Sequence, residues 1–296
     1  MQLQEIWQRI DARYGGFSPQ LQRAARFVRE HPQDVALNSL RSLAGRAGVS
    51  PTSITRLMQA LEFETWDAFQ AVHRHWLMAG QSGGVFSQRA DRLISEARRP
   101  GAGDQLLDAI AQAARANLEA ATAPQARPAL RQAADLLVVA PVIAIAGIRS
   151  CFPVAFSLHY ALSLFLPGAR LMTGTGGALL DDLYHLRAGD ALVVISVAPY
   201  SREIIELARY ARAADVRVIG ITDGPLTPVA RLSDVTLVAR NDSPAHIATP
   251  IGLLAVAEAL AALVLARAGA GALDTLRRRE ATLDATSAYL PVEVVS

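Results

Sequence analysis

Two short stretches of this chain carry side chains suited to holding a ligand. Gly147, Arg149, Ser150 and Cys151 stand together in one, and Ser196, Tyr200, Ser201 and Glu203 in the other. Each stretch follows an apolar run, Val142–Ala146 before the first and Ala191–Ser196 before the second. Where a strand hands over to a helix, the first helical N–H groups lack partners and carry the positive end of the helix dipole, so they attract an anion. Gly147 stands where the chain turns tightly or lets a ligand approach the backbone. Pro153 stands at a first helical position, where its missing N–H costs nothing. The plainer reading of either stretch is a strand-to-helix turn without a ligand.

Other chemistry finds less support. Cys151 at a helix N-terminus would have a lowered pKa, yet no base lies near it in sequence. Glu203 is the only carboxylate in the two stretches, and an acid in the first turn of a helix also stabilises that helix end. His159, His185 and His246 are isolated, with no spacing that makes a metal site. His73 and His75 read as surface or partly packed side chains. The glycine-rich Thr173–Gly177 either lines a pocket or forms a flexible turn, and Asn241–Pro244 reads as turn chemistry. The expectation is therefore no catalytic residue, no metal and no cofactor.

The elements around the two stretches follow a pattern. Helical segments at Asp104–Thr122 and Pro128–Val139 lead into Val142–Ala146, a run apolar enough for a strand buried on both faces. Further apolar runs at Arg170–Met172, Ala191–Ser196, Val216–Ile221 and Asp234–Ala239 alternate with helical patterns. Helices at Thr249–Ala266 and Leu273–Leu290 close the chain. This alternation predicts a doubly wound α/β domain with a five-stranded parallel sheet over residues 104–296. With strand order 2-1-3-4-5, the turns after the first and third strands are neighbours across the crevice where such sheets bind ligands.

Residues 1–78 have a different character, predicted all-α. Ser18 caps a helix with Pro19 at its first position. Within LRSLAGRAGVSPTSITRLMQAL, Ala44, Gly48 and Ile54 fall at relative positions 5, 9 and 15 of a helix-turn-helix. Ala44 is small where two helices cross, Gly48 supplies a left-handed turn, and Val49 and Ile54 fill the wedge. Ser50 caps the second helix and Pro51 starts it. The helix is expected to turn Thr52, Ser53, Thr55 and Arg56 outward and Ile54, Leu57 and Leu61 inward. Together with Arg46 and Ser50, the outward set suits double-stranded DNA, since short polar side chains at a helix start reach bases and phosphates. A helical hairpin in any α-bundle is the alternative. Phe63, Trp66, Phe69 and Trp76 are expected core aromatics. Residues 79–103, flanked by Gly, Ser and Pro, read as a connector; Arg98 and Arg99 within it either touch phosphate or end a solvated helix.

Composition sets the outer bounds. The 296 residues carry net charge +2, with 51% hydrophobic and 19% charged residues, so a large core is available and no overall basic field is present. All 29 basic residues are Arg. One cysteine excludes an intramolecular disulfide framework and suits a reducing compartment. The N-terminus lacks a secretory signal. Ile251–Ala266 carries Glu258 in its middle and is short for a membrane span, so it reads as a buried helix. A cytoplasmic protein without a membrane association is expected.

Both halves, in this order, resemble the RpiR-type bacterial transcriptional regulators, which join an N-terminal helix-turn-helix to a C-terminal sugar isomerase (SIS) domain. The stretch AGVSPTSITR stands where that family shows A-G-V-S-x-A/P-T-I/V-x-R. SIS domains commonly read G-x-G-x-S in the first turn; here Arg149 stands at the second glycine and Cys151 at the serine. In the second turn, commonly S-x-S-G-x-T-x-E, Ser196, Ser201 and Glu203 match, whereas Ala198 and Pro199 replace the second serine and the glycine. The resemblance implies a DNA-binding regulator whose operator affinity responds to a small anionic metabolite, a phosphosugar or related sugar acid. Arg149 either offers that anion a planar fork or pairs with Asp181 or Asp182. An aldose–ketose phosphate isomerase with an accessory N-terminal domain, and a constitutive DNA-binding protein with a decayed pocket, are the competing readings. A palindromic half-site calls for a symmetric partner, so a homodimer or dimer of dimers through the C-terminal domain is expected.

Overall fold

In the computed structural model, which describes residues 3–78, 85–97, 101–177 and 179–289, the apolar runs of the C-terminal half form one sheet. Its strands are β1 (Ile143–Gly147), β2 (Ala169–Met172), β3 (Ala191–Ile195), β4 (Arg217–Thr222) and β5 (Val235–Val238), all parallel in the order β2-β1-β3-β4-β5. Every residue of β1 and β3 is buried, which is why both read as unbroken apolar runs. Register pairs Gly147 with Ile195, so the turns leaving these two strands start side by side.

Helices cover both faces. In this half they are α8 (Ala102–Ala121), α9 (Arg127–Val139), α10 (Phe152–Ser163), α11 (Arg202–Ala213), α12 (Pro228–Leu232) and α13 (Ile251–Ala285). On one face Ile143, Ile145, Val193 and Ile195 meet Leu137, Leu158, Leu162 and Leu260. On the other, Ala144, Ala146, Leu192 and Val194 meet Ile204 and Leu207. Each large aliphatic side chain so buried contributes about 1.5–3 kcal/mol. Two helices close the chain, as expected, joined end to end within α13. They meet at a kink at Gly269, whose φ of 69° and ψ of −151° are not helical, and the second runs to Ala285. The first half of α13 is apolar and long enough to cross a membrane, but buries Leu253, Val256, Leu260 and Val264 in the domain core.

The chain divides into two compact units, Met1–Glu96 and Ala97–Ser296. The division falls inside the stretch 79–103, where α7 spans Val85–Glu96; residues 79–84 and 98–100, with Arg98 and Arg99, lie outside the described residues. The first unit also holds α1 (Leu3–Arg13), α2 (Pro19–Glu30), α3 (Pro32–Leu37), α4 (Leu40–Ala47), α5 (Pro51–Ala60) and α6 (Trp66–Met78). Ile6, Ile10, Val28, Leu43, Ile54, Leu57 and Phe69 are its fully buried residues of largest consequence. Phe63 and Phe69 are core aromatics and Trp66 is half-buried, while the side chains of His75 and Trp76 lie outside the described residues. His73 is not at the surface: it is fully buried, one helical turn beyond Phe69 on the same face.

Candidate functional site: a crevice of two turns and a helix-turn-helix

The crevice starts at Gly147. A Cβ there would lie 2.9 Å from the Cys151 carbonyl oxygen and 3.0 Å from the Ala155 Cβ, so only glycine lets the next turn fold back on the strand end. That turn is a short 3-10 segment, Arg149–Cys151, and α10 begins at Phe152 with Pro153 in its first turn. Arg149 has a φ of 56°, a left-handed conformation that costs a residue with a Cβ roughly 1–2 kcal/mol. It thus keeps the backbone of a glycine while carrying a guanidinium. The side chain is exposed, and its ion pair is with Glu203, 3.9 Å away, rather than with Asp181 or Asp182.

Cys151 joins the two turns. Its thiol lies within hydrogen-bonding reach of the Ser150 hydroxyl and of the Val197 backbone, which belongs to the turn after β3. Burial pushes the thiol pKa up, contrary to the lowering expected at a helix start, because desolvation outweighs the dipole. Cys151 therefore faces the core and not the crevice.

The second turn is held by its own bonds. Ser196 is buried, and its hydroxyl accepts the Ser201 N–H at 3.3 Å. Ser201 is the N-cap of α11, and Glu203 lies in the first turn of that helix. The Tyr200 hydroxyl donates to Asp223 Oδ1 at 2.9 Å, and the Ala198 N–H to Asp223 Oδ2 at 3.3 Å. The Ala198–Pro199 peptide is cis. Asp223, just past β4, was no sequence candidate. Its signal is positional, since β4 neighbours β3 and their carboxyl ends open on one side.

The helix-turn-helix is formed by α4 and α5. Gly48 ends α4 at φ 63°, ψ 34°, and Ala44 is fully buried at the crossing. Ser50 caps α5 by accepting the Ser53 N–H at 3.2 Å, a bond worth about 1 kcal/mol. Thr52 and Arg56 are exposed and Thr55 is half-buried, its hydroxyl bonded to the Pro51 carbonyl. Ser53 departs from expectation. It is buried, and its hydroxyl lies 2.9 Å from that of Ser50, because it shares a helix face with Leu57. Arg46 is exposed and pairs with Asp34 at 3.0 Å. At the far end of α5, Arg9 and Arg13 from α1 donate to the carbonyls of Leu61 and Ala60 and both pair with Glu62. Two guanidiniums thus satisfy carbonyls that a helix end leaves without partners.

A SIS domain model matches residues 136–266. HexR, an HTH-type transcriptional regulator of Escherichia coli (strain K12), is 24% identical over 277 residues, covering 92% of this chain and 91% of the relative. The sugar isomerase domain of an RpiR transcription factor from Sphaerobacter thermophilus superposes with TM-score 0.53 at 27% identity, covering 61% of this chain and 99% of that one. The chain carries a SIS domain and resembles HTH-type and RpiR transcriptional regulators. NanR of Vibrio vulnificus, solved with ManNAc-6P, shares the fold of the regulator at TM-score 0.52 and 19% identity, covering 96% of this chain and 100% of that one.

In this regulator the two predicted turns do meet, through Cys151 and Val197. Arg149 and Glu203 face each other across them. The structure does not turn Ser53 outward with Thr52 and Arg56, nor Cys151 to the crevice. Among the described residues no group of three or more His, Cys, Asp or Glu is placed to share a metal ion.

Proposed function

We propose that this regulator binds operator DNA through α5 and responds to a small anionic metabolite, a phosphosugar or related sugar acid, held between the turns after β1 and β3. The observation that carries this is the joining, in one chain, of a capped helix-turn-helix to a SIS domain whose two turns converge beside an exposed guanidinium. Thr52 and Arg56 reach the groove, with Ser50 and Arg46 at its edge. Arg149, Ser150 and Ser201 face the anion, supported by Gly147, Ser196 and Tyr200.

The protein acts as a sensor and not as an isomerase. Proton transfer at a sugar carbon needs a base with room to reach it, and Glu203 serves instead as the counter-ion of Arg149. The working form is a cytoplasmic homodimer or dimer of dimers. Phe152, Phe156 and Tyr160 recur at four-residue spacing on α10 and are 38%, 52% and 48% exposed, an aromatic stripe suited to a symmetric contact.

The experiment is selection of bound sequences from a random DNA pool, followed by titration of sugar phosphates and sugar acids against the selected complex. A palindromic consensus whose affinity shifts with one of these anions is the expected result. Turnover of an aldose phosphate would instead establish the isomerase.

A further inference from the structure

A helix leaves its last carbonyls without partners, and those of α5 are met from two sources. The N–H groups of Leu61, Glu62 and Phe63 turn back onto the carbonyls of Leu57, Gln59 and Met58 at 3.0, 3.0 and 2.9 Å. The carbonyls of Ala60 and Leu61 lie beyond these and go to side chains of α1. Arg13 Nη1 donates to Ala60, and Arg9 Nη1 donates to Leu61 at 2.9 Å. The same two guanidiniums share one carboxylate, with Glu62 Oε2 2.8 Å from Arg9 and Oε1 2.5 Å from Arg13.

Glu62 stands at φ 67°, the left-handed position where a helix commonly hands over to glycine because a Cβ is strained there. Glycine would make this turn more easily, but would leave Arg9 and Arg13 with no anion to gather them. The strain therefore goes with the carboxylate and not with the turn. A lone exposed ion pair holds little, whereas here two pairs and two carbonyl bonds constrain one another.

The tie acts on the helix that carries Thr52 and Arg56, both exposed. Ser50 caps the near end from within the same segment, so that cap fixes no direction for the axis. The far end is tied to another helix. At 1.5 Å per residue, Thr52 stands about 12 Å from Ala60 along the axis. A tilt of about 10° pivoting at Ala60 moves Thr52 by about 2 Å, more than a hydrogen bond to a base edge tolerates.

Resting on the reading of α5 as the helix that enters the DNA groove, we propose that Arg9, Arg13 and Glu62 are positioning residues for operator recognition. They touch no DNA. They fix the axis of α5 from its far end, so that Thr52 and Arg56 meet the bases and phosphates in register.

Titration of a selected operator and of a scrambled duplex across salt concentrations tests this, on the full-length parent, on Glu62→Gly and on the double variant Arg9→Gln, Arg13→Gln, each held well below its melting temperature. Glu62→Gly is the sharper probe. Glycine takes a φ near 67° without strain, so the turn still closes, and removal of a negative charge would by itself tighten DNA binding. Positioning requires the opposite sign on the operator, a loss of tenfold or more, with the scrambled duplex bound at least as tightly as by the parent. The double variant should also lose tenfold or more on the operator, with its salt slope unchanged because no phosphate contact is removed. Operator binding by Glu62→Gly that equals or exceeds the parent's overturns the proposal and leaves α5 as the reading helix. So does a double variant that loses operator and scrambled duplex alike, with a salt slope lower by about one per arginine, since Arg9 and Arg13 would then be phosphate contacts. A parent that selects no sequence from the random pool overturns the DNA reading itself, and this proposal with it.

Discussion

The imidazole of His73 lies 4.7 Å from the ring of Phe69, and its Nδ1 is 2.9 Å from the Phe69 carbonyl oxygen. Its Nε2 is buried without a hydrogen-bond partner among the described residues. Burial is the larger influence and lowers the pKa of this ring from 6.5 to about 4, against the raising effect of the Phe69 carbonyl. The unfolded chain therefore takes up the proton first. Stability is constant above pH 6.5 and falls as pH drops from 6.5 to 4, by roughly 3 kcal/mol from this group. Urea unfolding of the first unit at pH 7 and pH 4.5 should show the loss, and a His73→Leu variant should show a smaller difference between the two. An equal difference in both proteins would remove His73 as the cause.

Arg56→Ala should weaken binding to selected operator DNA by roughly 1–3 kcal/mol, with the fold intact. Changes at Thr52 should alter sequence preference more than Arg46→Ala, since Arg46 is already engaged by Asp34. Binding by Arg56→Ala that matches the parent across salt concentrations would show that α5 does not read the DNA.

Ser53→Ala is expected to act on stability and not on specificity. The hydroxyl removed lies on the Ser50 cap and inside the unit, so the expected loss is about 0.5–1.5 kcal/mol. A shifted DNA consensus with an unchanged melting temperature would contradict the burial of this side chain.

At position 149, glycine and alanine separate backbone from side chain. Both variants lack the guanidinium, but only glycine adopts a φ near 56° without strain. Arg149→Gly should therefore be more stable than Arg149→Ala by about 1 kcal/mol, while the two bind any anion equally poorly. Equal melting temperatures would mean that the turn relaxes out of the left-handed region.

Mass measurement in solution tests the aromatic stripe on α10. The parent should run as a dimer or tetramer at micromolar concentration, and Phe156→Glu should shift it toward the monomer without unfolding, because that ring is 52% exposed. A parent that is monomeric would remove the stripe as an assembly surface.

The sheet was legible because strands buried on both faces are uniformly apolar, and β1 and β3 are buried at every position. The caps at Ser18 and Ser50 were equally open to view, since a hydroxyl followed by Pro before an apolar stripe marks a helix start. Two of the misplaced residues share one physical cause. Ser53 and His73 are polar residues four positions from a buried neighbour, Leu57 and Phe69 respectively, and helical geometry outweighed polarity in both. Asp223 could be found only from strand order, because nothing local distinguishes it from a turn residue. The partner of Arg149 depended on a side-chain direction that a left-handed backbone sets, and spacing alone does not encode it.

The arginine cap on α5 has a consequence for how the chain is made. Arg9 and Arg13 reach the carbonyls of Leu61 and Ala60 across 52 and 47 residues of sequence. At a synthesis rate of about 5–20 residues per second, the first helix is complete for roughly three to ten seconds before its partner exists. Throughout that interval Arg9 and Arg13 have no α5 carbonyl to reach. The helix-turn-helix unit is therefore closed only when the end of α5 meets a helix made well before it.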